Sequence, residues 1–196
     1  MNYTYAGIGS RKTPTEVIEL MKQFAAWAAG EDFTLNTGGA KGADTAFIVG
    51  ATANNGKVNN YLPFPGYNGY RNSMPFPEGD EIFTLARKYH PNWKACSSAA
   101  RLMHARNCNI VLGPSLNQPV DFIIGWTPGG EAVGGTGQAL RLSLDYGIPV
   151  CNLGLTNTPE QMINQFKRDI LEAIKKIDDD LFGRFKLPGN YYGCKS

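Results

Sequence analysis

Short apolar runs alternate along this chain with longer stretches of helical period, the pattern of βαβ units on a largely parallel sheet. Residues 3–8 read as a first strand ending in Gly7-Ile8-Gly9. Pro14 opens a helix at a favourable first-turn position; Val17, Leu20, Met21, Phe24 and Trp27 fall on one stripe, and Gly30 ends it. Residues 33–36 and 58–62 read as the second and third strands, with a helix between them that follows residues 37–44. From 65 to 79, Pro, Gly, Asn and aromatics crowd without any period, which predicts a long surface loop of the functional kind. Helical spacing returns over 95–107, and 121–126 is a near-continuous apolar run, the mark of a central strand buried on both faces. Residues 134–146 read as loop into helix, 149–153 as a last strand and 159–177 as a closing amphipathic helix. The expected fold class is α/β, a largely parallel sheet with helices on both faces. Residues 1–177 form one domain in this reading, and 178–196 a C-terminal extension.

Composition narrows the function classes. Of 196 residues 42% are hydrophobic and 18% charged, which suits a globular domain and not a disordered chain. Nineteen Lys+Arg against seventeen Asp+Glu leave a net charge of +2, which argues against duplex DNA as the main partner and leaves small anions open. Cys96, Cys108, Cys151 and Cys194 form no CxxC pair, and with only His90 and His104 no zinc-like spacing can be drawn. Free thiols in a reducing cytoplasm, and no metal, are expected. The N-terminus has no apolar signal core, and no apolar run approaches the ~20 residues of a membrane span. A cytoplasmic protein without a membrane partner follows, its homo-oligomeric state left open.

The 23 glycines are the compositional outlier, and they cluster at three strand-to-helix junctions. These are Gly7-Ile8-Gly9-Ser10-Arg11, residues 37–44 (Thr37-Gly38-Gly39-Ala40-Lys41-Gly42-Ala43-Asp44) and residues 128–138. In a doubly wound sheet such junctions open on one edge, the carboxyl ends of the strands, where ligands bind. Glycine lets backbone approach a phosphate, and amides at a helix N-terminus donate to it. Two familiar phosphate motifs are absent. GxGxxG needs a third Gly where Lys12 stands, and no GxxxxGK(S/T) string occurs.

These loops together resemble the SLOG superfamily, which includes DprA and the LOG phosphoribohydrolases and has a modified Rossmann fold. The resemblance runs from about Tyr3 to Leu153. It implies a Rossmann-like nucleotide-binding domain without a bound cofactor. The chain is also similar to a type of phage protein with a core of Arg106, Asn107, Leu112, Gly113, Trp126, Gly134, Gly135, Thr136, Gln138, Ala139, Leu140, Gly147, Ile148, Pro149, Val150, Asn152 and Leu153. Phage proteins that sequester nucleotide signals make a sponge the implied role, with an ADP-ribose-type or cyclic nucleotide as ligand and the host cytoplasm as location. The LOG signatures MHxRK and PGGxGTxxE resemble Met103-His104-Ala105-Arg106-Asn107 and Pro128-Gly129-Gly130 followed by Gly134-Gly135-Thr136. Arg106 thus falls on the family's substrate-contacting arginine. Where those enzymes place a catalytic Glu, this chain has Ala139, which cannot stabilise an oxocarbenium-like centre. No catalytic residue is expected, and Glu131 in the same loop is the one candidate if the chain is instead a LOG-like nucleoside-monophosphate N-glycosidase. DprA-like single-stranded DNA binding is the third reading, poorly supported by the +2 charge.

The expected ligand-binding residues follow from these loops. They are Gly7, Gly9, Ser10, Arg11, Thr37, Gly38, Gly39, Ala40, Gly42, Ala43 and Asp44 at the first two junctions, and Gly134, Gly135, Thr136, Gly137 and Gln138 at the third. Arg11 suits a phosphate, while Lys12 and Lys41 read as solvated. Asp44 either accepts from ribose hydroxyls or caps a helix. Arg106, with Asn107 beside it, suits a bidentate phosphate contact, and the alternative is a tie to a neighbouring carboxylate. His104 reads as packed. Trp126 either stacks on a base or belongs to the core. Phe64, Tyr67 and Tyr70 on the Gly/Pro-rich loop read as a lid over a nucleobase.

Overall fold

The computed structural model describes residues 3–71, 73–179 and 187. Five strands form one parallel sheet: β1 (Thr4–Gly9), β2 (Thr34–Thr37), β3 (Val58–Asn60), β4 (Phe122–Trp126) and β5 (Val150–Asn152), in the order β3-β2-β1-β4-β5. Parallel neighbours need crossovers, and the helices supply them. These are α1 (Thr15–Gly30), α2 (Ala43–Ala53), α3 (Asp80–Lys88), α4 (Ser98–Leu112) and α5 (Gly134–Asp145), while α6 (Pro159–Asp179) follows the last strand.

Strand alternation divides the interior into two cores. Tyr5, Leu35, Phe122, Ile124 and Cys151 point to the face covered by α1, α2 and α6, while Ala6, Ile8, Ile123 and Val150 point to the face covered by α3, α4 and α5. The first core is aromatic. Tyr5 stacks on Phe122 with centroids 5.6 Å apart, and Phe24, Phe33 and Phe166 meet Phe122 at steep angles. Edge-to-face and stacked pairs of this kind contribute about 0.5–1.5 kcal/mol each beyond their buried area. Gly7 lies in this packing and not at a ligand surface, because a Cβ there would come within 2.5 Å of Phe47.

The central β1 pairs Tyr5 with Phe122 and Gly9 with Trp126, so both strands end level. Strand order reverses between β1 and β4, since the chain adds β2 and β3 on one side and β4 and β5 on the other. Such a reversal opens a crevice beyond the carboxyl ends.

The strands and most helices lie where the apolar pattern predicts them, with shifts of a few residues. One element was not expected. α3 is only nine residues, shorter than the window over which helical period is legible, and it directly follows the Pro/Gly-rich segment. Asp80 and Glu81 in its first turn and Arg87 and Lys88 in its last complement the helix dipole. α4 also runs five residues past the predicted end, to a Gly113 C-cap at φ +74°. Of the expected C-terminal extension, residues 178 and 179 instead continue α6 and Leu187 packs against the first core; the rest lies outside the described residues. Among the described residues no helix is long and apolar enough to cross a membrane.

Candidate functional site

The crevice at the β1/β4 reversal is a cleft of about 380 Å³. Its walls come from the β1–α1 junction (Gly9, Ser10, Arg11, Lys12), the start of α2 (Ala40, Asp44), the loop residue Tyr67, one face of α4 (Met103, His104, Arg106, Asn107, Ile110) and the start of α5 (Gly134, Gly135, Thr136, Ala139). All three glycine junctions therefore reach one cleft.

Arg106 and Asp44 form its floor. Each is 5% exposed, and Nη1 of Arg106 lies 3.7 Å from Oδ2 of Asp44. Arg106 also donates from Nη1 to the Tyr61 carbonyl at 3.4 Å, and its Nε is buried without a partner. Burial pushes the Asp44 carboxyl up, opposed by the Arg106 charge and by the backbone amides of Ala40, Gly38 and Gly9. Burial likewise pulls Arg106 down, opposed by Asp44 and Tyr67. Gly38 is what lets the guanidinium approach, for a Cβ there would sit 1.2 Å from Nη1.

Asp44 changes how the second glycine loop is read. Its Oδ2 accepts the Ala40 amide at 3.2 Å, so the loop wraps an internal carboxylate and part of the expected phosphate cradle is already occupied. Asp44 thus organises the loop and also lines the cleft. Gly42 precedes α2 at φ +88°, a backbone state that glycine adopts without strain, and Ala43 is fully buried in the first core. Thr37 turns inward as well, donating its hydroxyl to the Gly7 carbonyl at 2.7 Å.

The third junction is open. The N-cap of α5 is Val133, which has no side chain to cap it, and Gly134, Gly135 and Thr136 place the first-turn amides at the cleft wall. Asn107 holds this turn from α4, its Nδ2 donating to the Gly135 carbonyl at 3.0 Å. Gly137 and Gln138 face away: Gly137 packs its Cα against the Ala132 backbone, and Gln138 is fully buried, donating to Cys108 Sγ at 3.4 Å. Helical geometry explains this, since residues three or four apart share a face and adjacent ones do not. Ala139 lines the cleft where the resembling enzymes carry their glutamate, and Glu131 is exposed and outside the cleft lining.

The aromatic loop contributes one ring. Tyr67 lies in the cleft wall with its centroid 5.9 Å from the Arg106 guanidinium carbon. Phe64 is exposed and touches Tyr67 edge-on, while Tyr70 packs over Gly39 instead of the cleft. Asn68 ties the loop down by donating to the Gly39 carbonyl at 2.7 Å. Trp126, half-buried, packs against the first core and is not part of the cleft lining.

Arg11 and Lys12 stand exposed at the rim, so Lys12, read as merely solvated, also lines the cleft; Lys41 is exposed and does not. Burial lowers His104 to about 4, with His90, Arg106 and Arg141 adding to the effect and Gln138 opposing it, so it is neutral at pH 7. Among the described lining residues, three cations then face one carboxylate. Sequence reasoning missed the apolar walls Ile8, Met103, Ile110, Pro128 and Val133, because nothing in an apolar residue marks whether it faces a core or a cleft. It also saw no grouping of the histidines and cysteines, yet ligating atoms of His90, Cys96 and His104 lie within 4.8 Å of one another. Cys96, Cys108 and Cys151 are free thiols.

No family model matches this chain, and no curated protein matches it significantly. Solved structures do. Two structures of the Moco carrier protein from Chlamydomonas reinhardtii align with TM-scores of 0.52 and 0.51 at 15% and 13% identity, covering 93% and 92% of this chain and all of theirs. DNA processing protein A from Helicobacter pylori aligns with a TM-score of 0.49 at 16% identity, over 87% of this chain and 80% of that one. At such identities the carrier structures establish the architecture: this is an α/β chain of Rossmann-like fold, a five-stranded parallel sheet flanked by helices.

Proposed function

We propose that the chain binds a phosphate-bearing nucleotide derivative in the β1/β4 cleft and holds it without chemical conversion. The observation that carries this reading is the buried Arg106 in the cleft lining, which approaches its carboxylate only to 3.7 Å. A phosphate pairs with a guanidinium and completes the charge balance of three cations against Asp44. The first-turn amides of α5 add donors and a favourable dipole, and Tyr67 offers a face for a base.

Retention without turnover is supported by Ala139 in the cleft wall and by the position of Glu131 outside the lining. The fold neighbours, named for carrying the molybdenum cofactor, support a small-molecule carrier of the same coarse kind. The finer form of the proposal is sequestration of an ADP-ribose-type or cyclic nucleotide signal as a phage anti-defence sponge, which rests on the resemblance to phage proteins. In this reading residues 1–177 act as one ligand-binding domain.

The test is thermal denaturation of the full chain with AMP, ADP-ribose, cyclic nucleotides and a single-stranded oligonucleotide, followed by chromatography of whatever binds. Stabilisation should grow with the logarithm of ligand concentration for one nucleotide class, and heating should release that compound intact. Steady formation of free base points instead to an N-glycosidase, and stabilisation by the oligonucleotide alone to nucleic-acid binding; either result rejects the proposal.

A further inference from the structure

We infer that His90, Cys96 and His104 form a binding site for a thiophilic divalent metal, zinc foremost, where the segment before α4 folds against that helix. Nothing in the nucleotide reading uses His90 or Cys96. The two lie in the segment between α3 and α4, and His104 lies about two turns into α4. A 3-10 turn at Trp93–Ala95 folds the segment back, with the Cys96 amide donating to the Trp93 carbonyl at 3.1 Å. This brings the His90 and His104 rings to a centroid distance of 4.2 Å. Trp93 meets both rings, at 6.1 and 6.3 Å, and covers the cluster.

The distances suit the metal. With Zn–S near 2.3 Å and Zn–N near 2.0–2.1 Å, ligand atoms of a tetrahedral site stand about 3.3–3.6 Å apart. Cys96 Sγ is 3.6 Å from Nδ1 and 3.7 Å from Nε2 of His90. Nδ1 of His90 accepts the Asn92 amide at 3.2 Å, which leaves Nε2 as its ligating atom. Nδ1 of His104 is buried with no partner. One ligand atom from each of the three residues lies within 4.8 Å of the others, so side-chain adjustments of about an ångström close the site.

The donor set also selects the ion. It holds a thiol and two imidazoles with no carboxylate, which favours zinc over magnesium or calcium. Arg106 and Arg141 act electrostatically on His104 and disfavour a weakly held cation, while a thiolate at Cys96 offsets part of the added charge. Three protein ligands leave a fourth position for water or an anion. His104 belongs also to the cleft wall, so the metal would stand beside the nucleotide site.

The experiment equilibrates the full chain with zinc against a chromogenic chelator, counts retained metal by mass spectrometry, and repeats the titration with cobalt. One ion per chain and a thiolate-to-cobalt charge-transfer band are expected. Cys96→Ser should abolish the band, and Cys96→Ser and His90→Gln should each weaken zinc by at least about 100-fold, since even outer-shell partners of a metal are worth 10–100-fold. Cys194→Ser should leave the stoichiometry at one. Absence of retained zinc, equal retention by the Cys96 and His90 variants, or loss only in Cys194→Ser overturns the site. The readout is metal alone, so it stands or falls apart from nucleotide binding.

Discussion

Asp44 and Arg106 face each other at 3.7 Å on the cleft floor, both almost fully buried, without forming the two-pronged contact that their side chains allow. The carboxylate is steadied by backbone amides, and the guanidinium reaches the Tyr61 carbonyl, so each ion spends its hydrogen bonds on the scaffold first. The pair thus neutralises buried charge while Arg106 remains part of the cleft lining.

Arg106→Ala should destabilise the fold by about 3–5 kcal/mol, because it strands Asp44 as a buried charge without its counter-ion. That is a large share of a typical 5–15 kcal/mol stability. The double variant with Asp44→Asn should recover part of the loss in urea denaturation. Arg106→Lys keeps the charge but lacks the planar fork, so it should retain most stability and weaken nucleotide binding by roughly tenfold, or about 1.4 kcal/mol. Equal binding by the Lys variant would remove Arg106 from the ligand contacts.

Gly135→Leu separates folding from binding. A Cβ there meets nothing nearer than Asn107 Nδ2 at 4.0 Å, so the chain should fold normally while the side chain fills the mouth of the cleft. The melting temperature without ligand should stay close to that of the parent, and the ligand-induced rise should vanish. A full rise in a folded variant would place the ligand elsewhere.

Tyr67 and Tyr70 should behave differently, although they share one loop. Tyr67→Ala removes a ring from the cleft and should weaken binding by about 1–3 kcal/mol, the range for base stacking, mostly through faster dissociation. Tyr70 packs over Gly39 outside the lining, so Tyr70→Ala should lower stability with a smaller effect on dissociation. Stopped-flow kinetics on both variants checks the contrast.

Asp121 provides a pH prediction remote from the cleft. Burial raises its carboxyl, only partly opposed by the Thr4 amide that it accepts at 2.8 Å. The folded state therefore favours the protonated form more than the unfolded chain does. Its contribution to stability is fully present below the unfolded value of about 3.9, and is lost as pH rises through the raised folded value. Asp121→Asn should keep the amide contact, leave stability at pH 7 equal or higher, and flatten the pH dependence above about pH 4. Urea midpoints at several pH values measure this, and a marked loss at pH 7 would contradict it.

Much of the architecture was legible because it rests on short-range pattern. The run at 121–126 and the stripe from Val17 to Trp27 mark a buried strand and its covering helix in any context, and glycines at three junctions mark the edge where strands end. α3 escaped because nine residues hold too few turns to show a period beside a Pro/Gly-rich loop.

The chain sequence by itself determined the elements, their α/β order and the residues able to meet an anion, since these depend on local propensity and side-chain chemistry. Only the tertiary structure decided which of them meet. Packing put Gly7 and Ala43 into the first core, turned Gln138 inward, and wrapped the second glycine loop around Asp44, whose burial demands those amides. It also brought His90, Cys96 and His104 to one point, a convergence set by how the segment before α4 folds back and by no spacing along the chain.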